Sequence, residues 1–286
     1  MRKWDKIEKE NYSISPVKRL KMTAHIPIVT LTTDFGTKDS FVGTLKGVIW
    51  SICPSAHIAD ICHEIPPRNV LAGAIMLGRA YPFYPKGTIH LAVVDPGVGT
   101  SRHPIALRFD GYTFVGPDNG LFTAVLIKAE EEDQPAEMVR LENEQYFLPR
   151  VSRTFHGRDL FAPVAAHLAN GVPLAKLGPS ISDLQRLSMP EPEKVTNGWH
   201  AHIMVIDIFG NCTTDLPAEY LTDRTDVTIR VRRHKIHGLL ASYGHAQPGD
   251  LIALVNSENL IEIAVANGSA SDVLGARVGD LVEVVE

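Results

Sequence analysis

Two aspartates stand at the ends of apolar, β-branched segments, where an acidic side chain can face a ligand. Asp34 follows the run 28–33, and Asp95 follows the run 88–94. Ligands of open α/β folds bind outside the carboxyl ends of the strands, so both acids are expected on one rim of a sheet. A single acid at a strand end is about as often only a loop cap. The pair together predicts a functional site.

The segment that begins at Asp95 reads DPGVGTSR and ends at Arg102. Its glycines permit a tight turn and a close approach of the backbone to a ligand. It has neither the GK[ST] of a Walker loop nor the third glycine of a dinucleotide fingerprint. Arg102 can fold back onto Asp95 and hold it as a carboxylate. The alternative is an ordinary structural salt bridge.

His156 precedes a predicted helix over 159–170. A histidine at this place is either a packing residue or a participant in chemistry, and the second role requires it to lie near Asp95. Asp34, Asp95 and His156 would also suit a divalent metal ion, although no cysteine or histidine cluster has zinc spacing. Further along, Asp207 and Asn211 flank a turn. Asparagine can match the donor and acceptor edge of a purine, but such turns also simply end hairpins.

Periodic patterns predict the elements that position these residues. Strand, helix, strand, helix and strand alternate at 28–33, 41–49, 58–62, 70–77 and 88–94. This alternation is typical of βαβ units with a mainly parallel sheet. Two further short strands are expected at 105–109 and 112–115. The fold class of this half is therefore α/β.

The pattern changes near residue 188. Two prolines among charged residues predict a linker at 189–198. Short β segments follow at 203–208, 227–232, 251–255, 261–265 and 281–285. We therefore predict an α/β domain at 26–188 and a smaller all-β barrel domain at 199–286, after a charged N-terminal extension at 1–25.

Composition excludes several classes of function. The 286 residues carry 28 Lys and Arg against 33 Asp and Glu, a formal charge of −5. No basic excess is present to hold nucleic acid, so no nucleic-acid partner is expected. No apolar run reaches the roughly 18–20 residues that span a membrane. Three cysteines without a CxxC motif predict reduced thiols and a cytoplasmic location.

Five motifs occur in the order seen in one enzyme family. They are TTDFG at 32–36, DPGVGT at 95–100, GPDNG at 116–120, FHGRD at 155–159 and FGN at 209–211. From about residue 26 to its end, the chain resembles the S-adenosyl-L-methionine (SAM) hydrolases. These are also called SAM hydroxide adenosyltransferases and are related to the fluorinase and chlorinase.

The resemblance implies an N-terminal α/β domain, a C-terminal β-barrel domain, and a homotrimer whose sites lie between the N-terminal domain of one chain and the C-terminal domain of the next. It implies SAM as the substrate, with no cofactor and no metal. The implied catalytic residues are Asp95, Arg102 and His156. The implied contacts are Asp34 to the ribose hydroxyls, Asp207 to the methionine amino group, Asn211 to adenine, Ser257 to the methionine carboxylate, and Asn267 and Gly268 near the adenine. Glu258 departs from the arginine that the fluorinase has beside that serine.

Two departures favour a hydrolase over a halogenase. Asp95 stands where the fluorinase has a tyrosine, and Gly157 replaces its halide-binding serine. A carboxylate repels a halide ion but accepts a hydrogen bond from water. We therefore expect in-line attack of water on ribose C5′, giving adenosine and methionine. Aspartate is a weak base, so His156 is the expected acceptor of the water proton.

Three other interpretations remain open from the sequence. The first is a SAM-dependent halogenase or a transferase of another nucleophile. The second is a metal-dependent hydrolase that uses the ligand set Asp34, Asp95 and His156. The third is a non-catalytic module that binds adenosine or SAM without turnover.

Overall fold

The chain divides into two compact units, one that ends at Arg186 and one that begins at Leu187. A computed structural model describes residues 26–221 and 226–285, so the predicted extension at 1–25 lies outside the described residues. The predicted linker at 189–198 contains a short strand, Glu193–Val195, which pairs with the strand that follows it.

The first unit is built on a six-stranded sheet with the order β2-β1-β3-β5-β4-β6. Its strands are β1 (Ile28–Thr33), β2 (His57–Cys62), β3 (Ile89–Val93), β4 (Pro104–Phe109), β5 (Tyr112–Pro117) and β6 (Glu137–Arg140). The pairings of β1 with β2, β1 with β3 and β3 with β5 are parallel, whereas β4 pairs antiparallel with both β5 and β6. Thr33 is the register partner of Val93, so β1 and β3 end side by side.

Helices cover both faces of this sheet. They are α1 (Phe41–Ile52), α2 (Val70–Ala80), α3 (Thr123–Glu131) and α4 (Ala162–Ala169). Leu91 and Val93 belong to the core cluster that includes residues of α1 and α4, while Ala92 and Val94 belong to the cluster that includes residues of α2 and α3. Because both faces are buried, β3 is apolar at almost every position instead of alternating.

The second unit is a nearly closed antiparallel barrel, which confirms the predicted fold class. Its sheet runs β11-β10-β14-β8-β9-β13-β12, with β7 paired to β8. The strands are β7 (Glu193–Val195), β8 (Gly198–Ile206), β9 (Cys212–Pro217), β10 (Thr228–Val231), β11 (His234–His237), β12 (Leu251–Val255), β13 (Leu260–Val265) and β14 (Leu281–Val285). A bridge between Leu240 and Leu254 brings the two ends of the path together.

Several elements were not predicted. Strand β9 carries Thr213 and Asp215, which are buried polar residues, so its sequence shows no apolar alternation. Helix α3 has nine residues, and helix α5 (Ala270–Leu274) has five; both are too short for a clear helical period. Within 26–221 and 226–285, every helix is too short or too polar to cross a bilayer.

Candidate active site

Asp95 and Arg102 form a bidentate ion pair just after β3. Arg102 Nε lies 3.0 Å from Asp95 Oδ1 and 3.1 Å from Oδ2, and Nη2 lies 2.5 Å from Oδ2. The side chains are only 5% exposed for Asp95 and 8% exposed for Arg102. The guanidinium also lies 5.2 Å from the ring centre of the buried Phe161. Such a desolvated, two-pronged pair holds the carboxylate in one orientation.

His156 joins this pair through its ring. Arg102 Nη2 lies 2.8 Å from His156 Nδ1. A guanidinium has donors only, so Nδ1 accepts and the ring proton is on Nε2. Burial lowers the pKa of His156, the Arg102 charge lowers it further, and the opposing effects of Asp95 and Asp159 are smaller. The imidazole is therefore neutral at physiological pH.

This geometry bears on the expected role of His156. In the neutral ring, Nδ1 is occupied by Arg102 and Nε2 carries the proton. Neither nitrogen offers a free lone pair to a water molecule. His156 can accept a proton only after the Arg102 contact breaks, so its predicted role as the base requires that contact to open. The arrangement suits a residue that orients Arg102.

A close approach of two loops holds the three side chains together. Gly99 has φ +77, and a Cβ added to it would lie 2.3 Å from the Arg153 carbonyl oxygen. Arg153 is three residues before His156, so this contact sets the spacing between the loop of Asp95 and the loop of His156. The positive φ favours glycine, and the contact requires it, because any Cβ would clash with the Arg153 carbonyl oxygen.

We expect Gly99→Ala to reduce kcat about 100-fold and to destabilise the fold by about 1–3 kcal/mol, because the added methyl group separates the two loops. Gly171→Ala is the matched control: Gly171 has φ +84, but an added Cβ meets nothing within 4 Å. Thermal unfolding and steady-state kinetics on both variants separate loop spacing from backbone strain. Equal effects in the two variants would contradict the proposed role of the contact.

The segment that carries His156 is fixed by Asp159, which is 1% exposed. Its carboxylate accepts from the Ser152 amide at 2.8 Å and from Arg158 Nε at 2.6 Å. Burial acts to raise the pKa of Asp159, but the hydrogen bonds from Arg158 and Ser152 outweigh it, and the net effect is a lowered pKa. A π-helical turn, Gly157–Phe161, follows His156 directly. Such turns occur often at functional sites.

Asp34 follows β1 and is held by the main chain of another loop. Its Oδ2 accepts from the Arg68 amide at 2.7 Å. Among the described residues, Oδ1 makes no hydrogen bond, so it remains available to a ligand. Arg68 has φ +66, a left-handed conformation that costs a non-glycine residue about 1 kcal/mol.

One pocket of about 170 Å³ brings the predicted acids and the histidine together. Its lining residues are Asp34, Phe35, Phe41, Arg68, Val93, Asp95, Val98, Thr154, Phe155, His156 and Gly157. The three phenylalanines of this lining pack edge to face with ring centres 5.2–6.0 Å apart. Arg102 acts on this pocket through Asp95 and His156.

No group of three or more histidine, cysteine, aspartate and glutamate side chains is arranged to hold a metal ion in 26–221 and 226–285. The alternative ligand set Asp34, Asp95 and His156 lines the pocket but does not form such a group.

Asp207 and Asn211 lie in the second unit, in the loop between β8 and β9. Asp207 Oδ1 accepts from the amides of Phe209 and Asn211, and Asn211 Nδ2 donates to Asp207 Oδ2 at 3.0 Å. The Asp207 carboxylate therefore stabilises the conformation of this loop, in addition to any contact with a ligand. Gly210 packs against Ser269, so the loop adjoins the turn that contains Asn267 and Gly268.

Ser257 is separated from those residues. It lies in the exposed turn before β13, whereas Asn267 and Gly268 follow the end of β13. A six-residue strand spans about 20 Å. The structure thus brings Asp34, Asp95, Arg102 and His156 together in the first unit. It groups Asp207, Asn211, Asn267 and Gly268 in the second unit, with Ser257 at the other end of a strand.

Sequence reasoning did not identify three contributors to the pocket. Phe41 belongs to the predicted apolar stripe of α1, yet it is 44% exposed and lines the pocket. Arg68 follows a Pro-Pro turn that carries no motif. Asn119, within the GPDNG motif, donates from Nδ2 to the Val94 carbonyl at 2.8 Å and so braces the residue before Asp95. The GPDNG motif is the feature of the sequence that could have identified Asn119.

Comparison with known proteins identifies the family. A model described as the SAM hydroxide adenosyltransferase N-terminal domain matches residues 29–178, and one described as the C-terminal domain matches residues 201–283. The chain belongs to the SAM hydroxide adenosyltransferase family. The two matched segments coincide with the α/β sheet and the barrel.

Relatives named (R)-S-adenosyl-L-methionine hydrolase align over nearly the whole chain. The protein from Salinispora tropica is 39% identical over 91% of this chain and 98% of its own, and the one from Methanocaldococcus jannaschii is 35% identical over 91% and 96%. A fluorinase from an Actinoplanes species is 30% identical over 66% of this chain and 72% of its own. The crystal structure of an uncharacterised conserved protein from Thermotoga maritima superposes with a TM-score of 0.83 at 39% identity, covering 91% of this chain and all of that one.

Proposed function

We propose that this protein hydrolyses SAM to adenosine and L-methionine by attack of water on ribose C5′. The observation that carries the proposal is the hydrogen-bonded set of Asp95, Arg102 and His156, whose members Asp95 and His156 line one pocket with Asp34. Membership of the SAM hydroxide adenosyltransferase family and the names of the hydrolase relatives support the same substrate.

The step needs a positioned water molecule more than a strong base. The water oxygen forms a bond to C5′ as the C5′–S bond breaks, and the electron pair of that bond goes to sulfur, giving a neutral thioether. The attacking oxygen becomes positively charged as it bonds, so its proton becomes very acidic. A carboxylate can then take that proton and pass it to solvent. Orientation alone can supply roughly 7 kcal/mol of the barrier reduction.

In this proposal Asp95 accepts a hydrogen bond from the water and then its proton. Arg102 occupies one side of the carboxylate, and each carboxylate oxygen still has acceptor capacity for water. Neutral His156 keeps Arg102 oriented by accepting from Nη2. Asp34, with Oδ1 available, would bind the ribose hydroxyls. Neither a cofactor nor a metal ion enters this scheme.

Turnover in oxygen-18 water tests the proposal and its alternatives together. We expect the label in the 5′ hydroxyl group of adenosine, with one methionine released for each adenosine. Unlabelled adenosine would contradict attack of water at C5′. Formation of 5′-halo-5′-deoxyadenosine in added halide would favour the halogenase, loss of activity with a chelator would favour the metal-dependent hydrolase, and tight binding without methionine release would favour the binding module.

We expect kcat/KM to be constant above pH 7 and to fall only in acid. Burial, and then the charge of Arg102, lower the pKa of His156 from the ordinary histidine value, so the neutral form persists through neutrality and is lost only at a more acidic pH than in a free histidine. Protonation removes the acceptor for Arg102 and places two cations together. The same shift makes folding stability decline as the pH falls from the ordinary histidine pKa of the unfolded chain through the lowered pKa of the folded protein. A pH–rate profile of His156→Gln that keeps an unchanged acid limb would contradict this assignment, and His167→Gln is the control.

We also propose that the active assembly is a homotrimer in which the second unit of a neighbouring chain completes each site. The resemblance to the family supports this arrangement, and the prediction is testable by complementation. Co-expression of Asp95→Ala with Asn211→Ala chains should restore about a quarter of the sites, because random mixing pairs an intact half from each chain. No recovery of activity in the mixed assembly would contradict it.

We also propose that the protein is cytoplasmic. Cys53, Cys62 and Cys212 are all free thiols, which fits a reducing compartment.

A further inference from the structure

Arg68 contributes a positive charge to the wall of the pocket. Its side chain is exposed and lines the pocket beside Asp34 and Phe41. Among the described residues, no carboxylate lies within ion-pair distance of its guanidinium. The main-chain amide of the same residue holds Asp34 at 2.7 Å, so the position of Arg68 is fixed relative to the predicted ribose contact.

The backbone of Arg68 points to a role for its side chain. The residue adopts φ +66, immediately before Asn69, which caps α2 by accepting from the Ala72 amide. Glycine adopts this conformation without strain, and asparagine adopts it more readily than arginine. Strained non-glycine residues of this kind occur at ligand-binding positions.

Among the charged side chains that line the pocket, Arg68 is the cation that can bind an anionic group of the substrate. The charge of Asp95 is balanced by Arg102 at 2.5 Å, which leaves the carboxylate of Asp34 and the guanidinium of Arg68. SAM carries a sulfonium, an ammonium and one carboxylate, so the carboxylate is its only anionic group. The turn at Ser257, the predicted carboxylate contact, has the acidic Glu258 as its next residue.

Resting on the proposed function, we propose that Arg68 binds the carboxylate of the methionine portion of SAM. The guanidinium presents a planar pair of donors, which matches a carboxylate group. In this assignment Asp34 binds the ribose of the substrate and the side chain of Arg68 binds its amino acid portion. The two residues are neighbours because the amide of Arg68 donates to the carboxylate of Asp34. Arg68 is thus a determinant of substrate specificity.

The experiment compares SAM with decarboxylated SAM on the unaltered protein and on Arg68→Gly. We expect kcat/KM for SAM to fall roughly 10- to 100-fold, mainly through KM, while the value for decarboxylated SAM changes by less than about threefold. If decarboxylated SAM is not turned over, its inhibition constant replaces kcat/KM. The melting temperature should stay the same or rise, because glycine relieves the left-handed strain. Arg68→Lys should recover part of the loss for SAM alone.

Lys38→Met is the matched control, since it removes a positive charge from the exposed loop after Asp34 at a residue that does not line the pocket. It should affect neither substrate. Equal losses of both substrates in Arg68→Gly would overturn the inference and indicate contact with the adenosine portion, and no loss with either would overturn it as well. Failure of the unaltered protein to release adenosine from SAM would overturn the proposed function, and the inference with it.

Discussion

Replacing Asp95 with asparagine is expected to lower kcat about 1000-fold while the dissociation constant of adenosine changes by less than about threefold. Asparagine has nearly the same shape, but it has lost one of the two oxygens that Arg102 contacts and all of the negative charge. The attacking water then loses its acceptor, and Arg102 is left buried without a counter-ion. Single-turnover release of methionine measures the chemical step, and calorimetry with adenosine measures binding.

The control for Asp95 is an acid that lies outside the pocket. Asp110, in the turn between β4 and β5, is exposed and pairs with Lys86. Asp110→Asn should retain normal turnover and affinity. If Asp95→Asn were as active as Asp110→Asn, the carboxylate would have no part in the reaction. A parallel loss of adenosine binding would instead show that the substitution disrupts the pocket as a whole.

Replacing Asp34 with alanine is expected to raise KM for SAM and the dissociation constant of adenosine about 100-fold, with a much smaller change in kcat. A carboxylate held by the Arg68 amide loses little freedom when it accepts from two ribose hydroxyls, so these charge-assisted hydrogen bonds contribute strongly to binding. Titration of adenosine into the variant measures the effect directly.

The sugar itself supplies the control for Asp34. The unaltered protein should bind 2′,3′-dideoxyadenosine about as weakly as Asp34→Ala binds adenosine, and the variant should bind the two nucleosides equally. This cycle isolates the contact between Asp34 and the hydroxyl groups. If the substitution weakened the dideoxy compound just as much, Asp34 would act on the pocket and not on the ribose.

The sequence was sufficient for the features that depend on local periodicity. Strand β1, helix α1 and strand β3 follow from apolar patterns over six to twelve residues, and the parallel order of β1 and β3 then places Asp34 and Asp95 on one rim. The barrel was predictable for the same reason, because the strands that were identified alternate or are wholly apolar. Strand β9 could not be predicted in this way, because its polar residues are buried against partners far along the chain. Thr213, for example, donates a hydrogen bond to Glu262.

Tertiary structure alone decided how the chemical groups act on one another. The contact between Arg102 and His156 joins residues 54 positions apart, and it fixes which nitrogen of the imidazole carries the proton. The approach of Gly99 to Arg153 and the left-handed turn at Arg68 likewise depend on packing between loops. Residue type and short-range pattern therefore determined which side chains this protein has for the reaction. The orientations, protonation states and ion pairing of these side chains were set by contacts between distant segments, which no local pattern encodes.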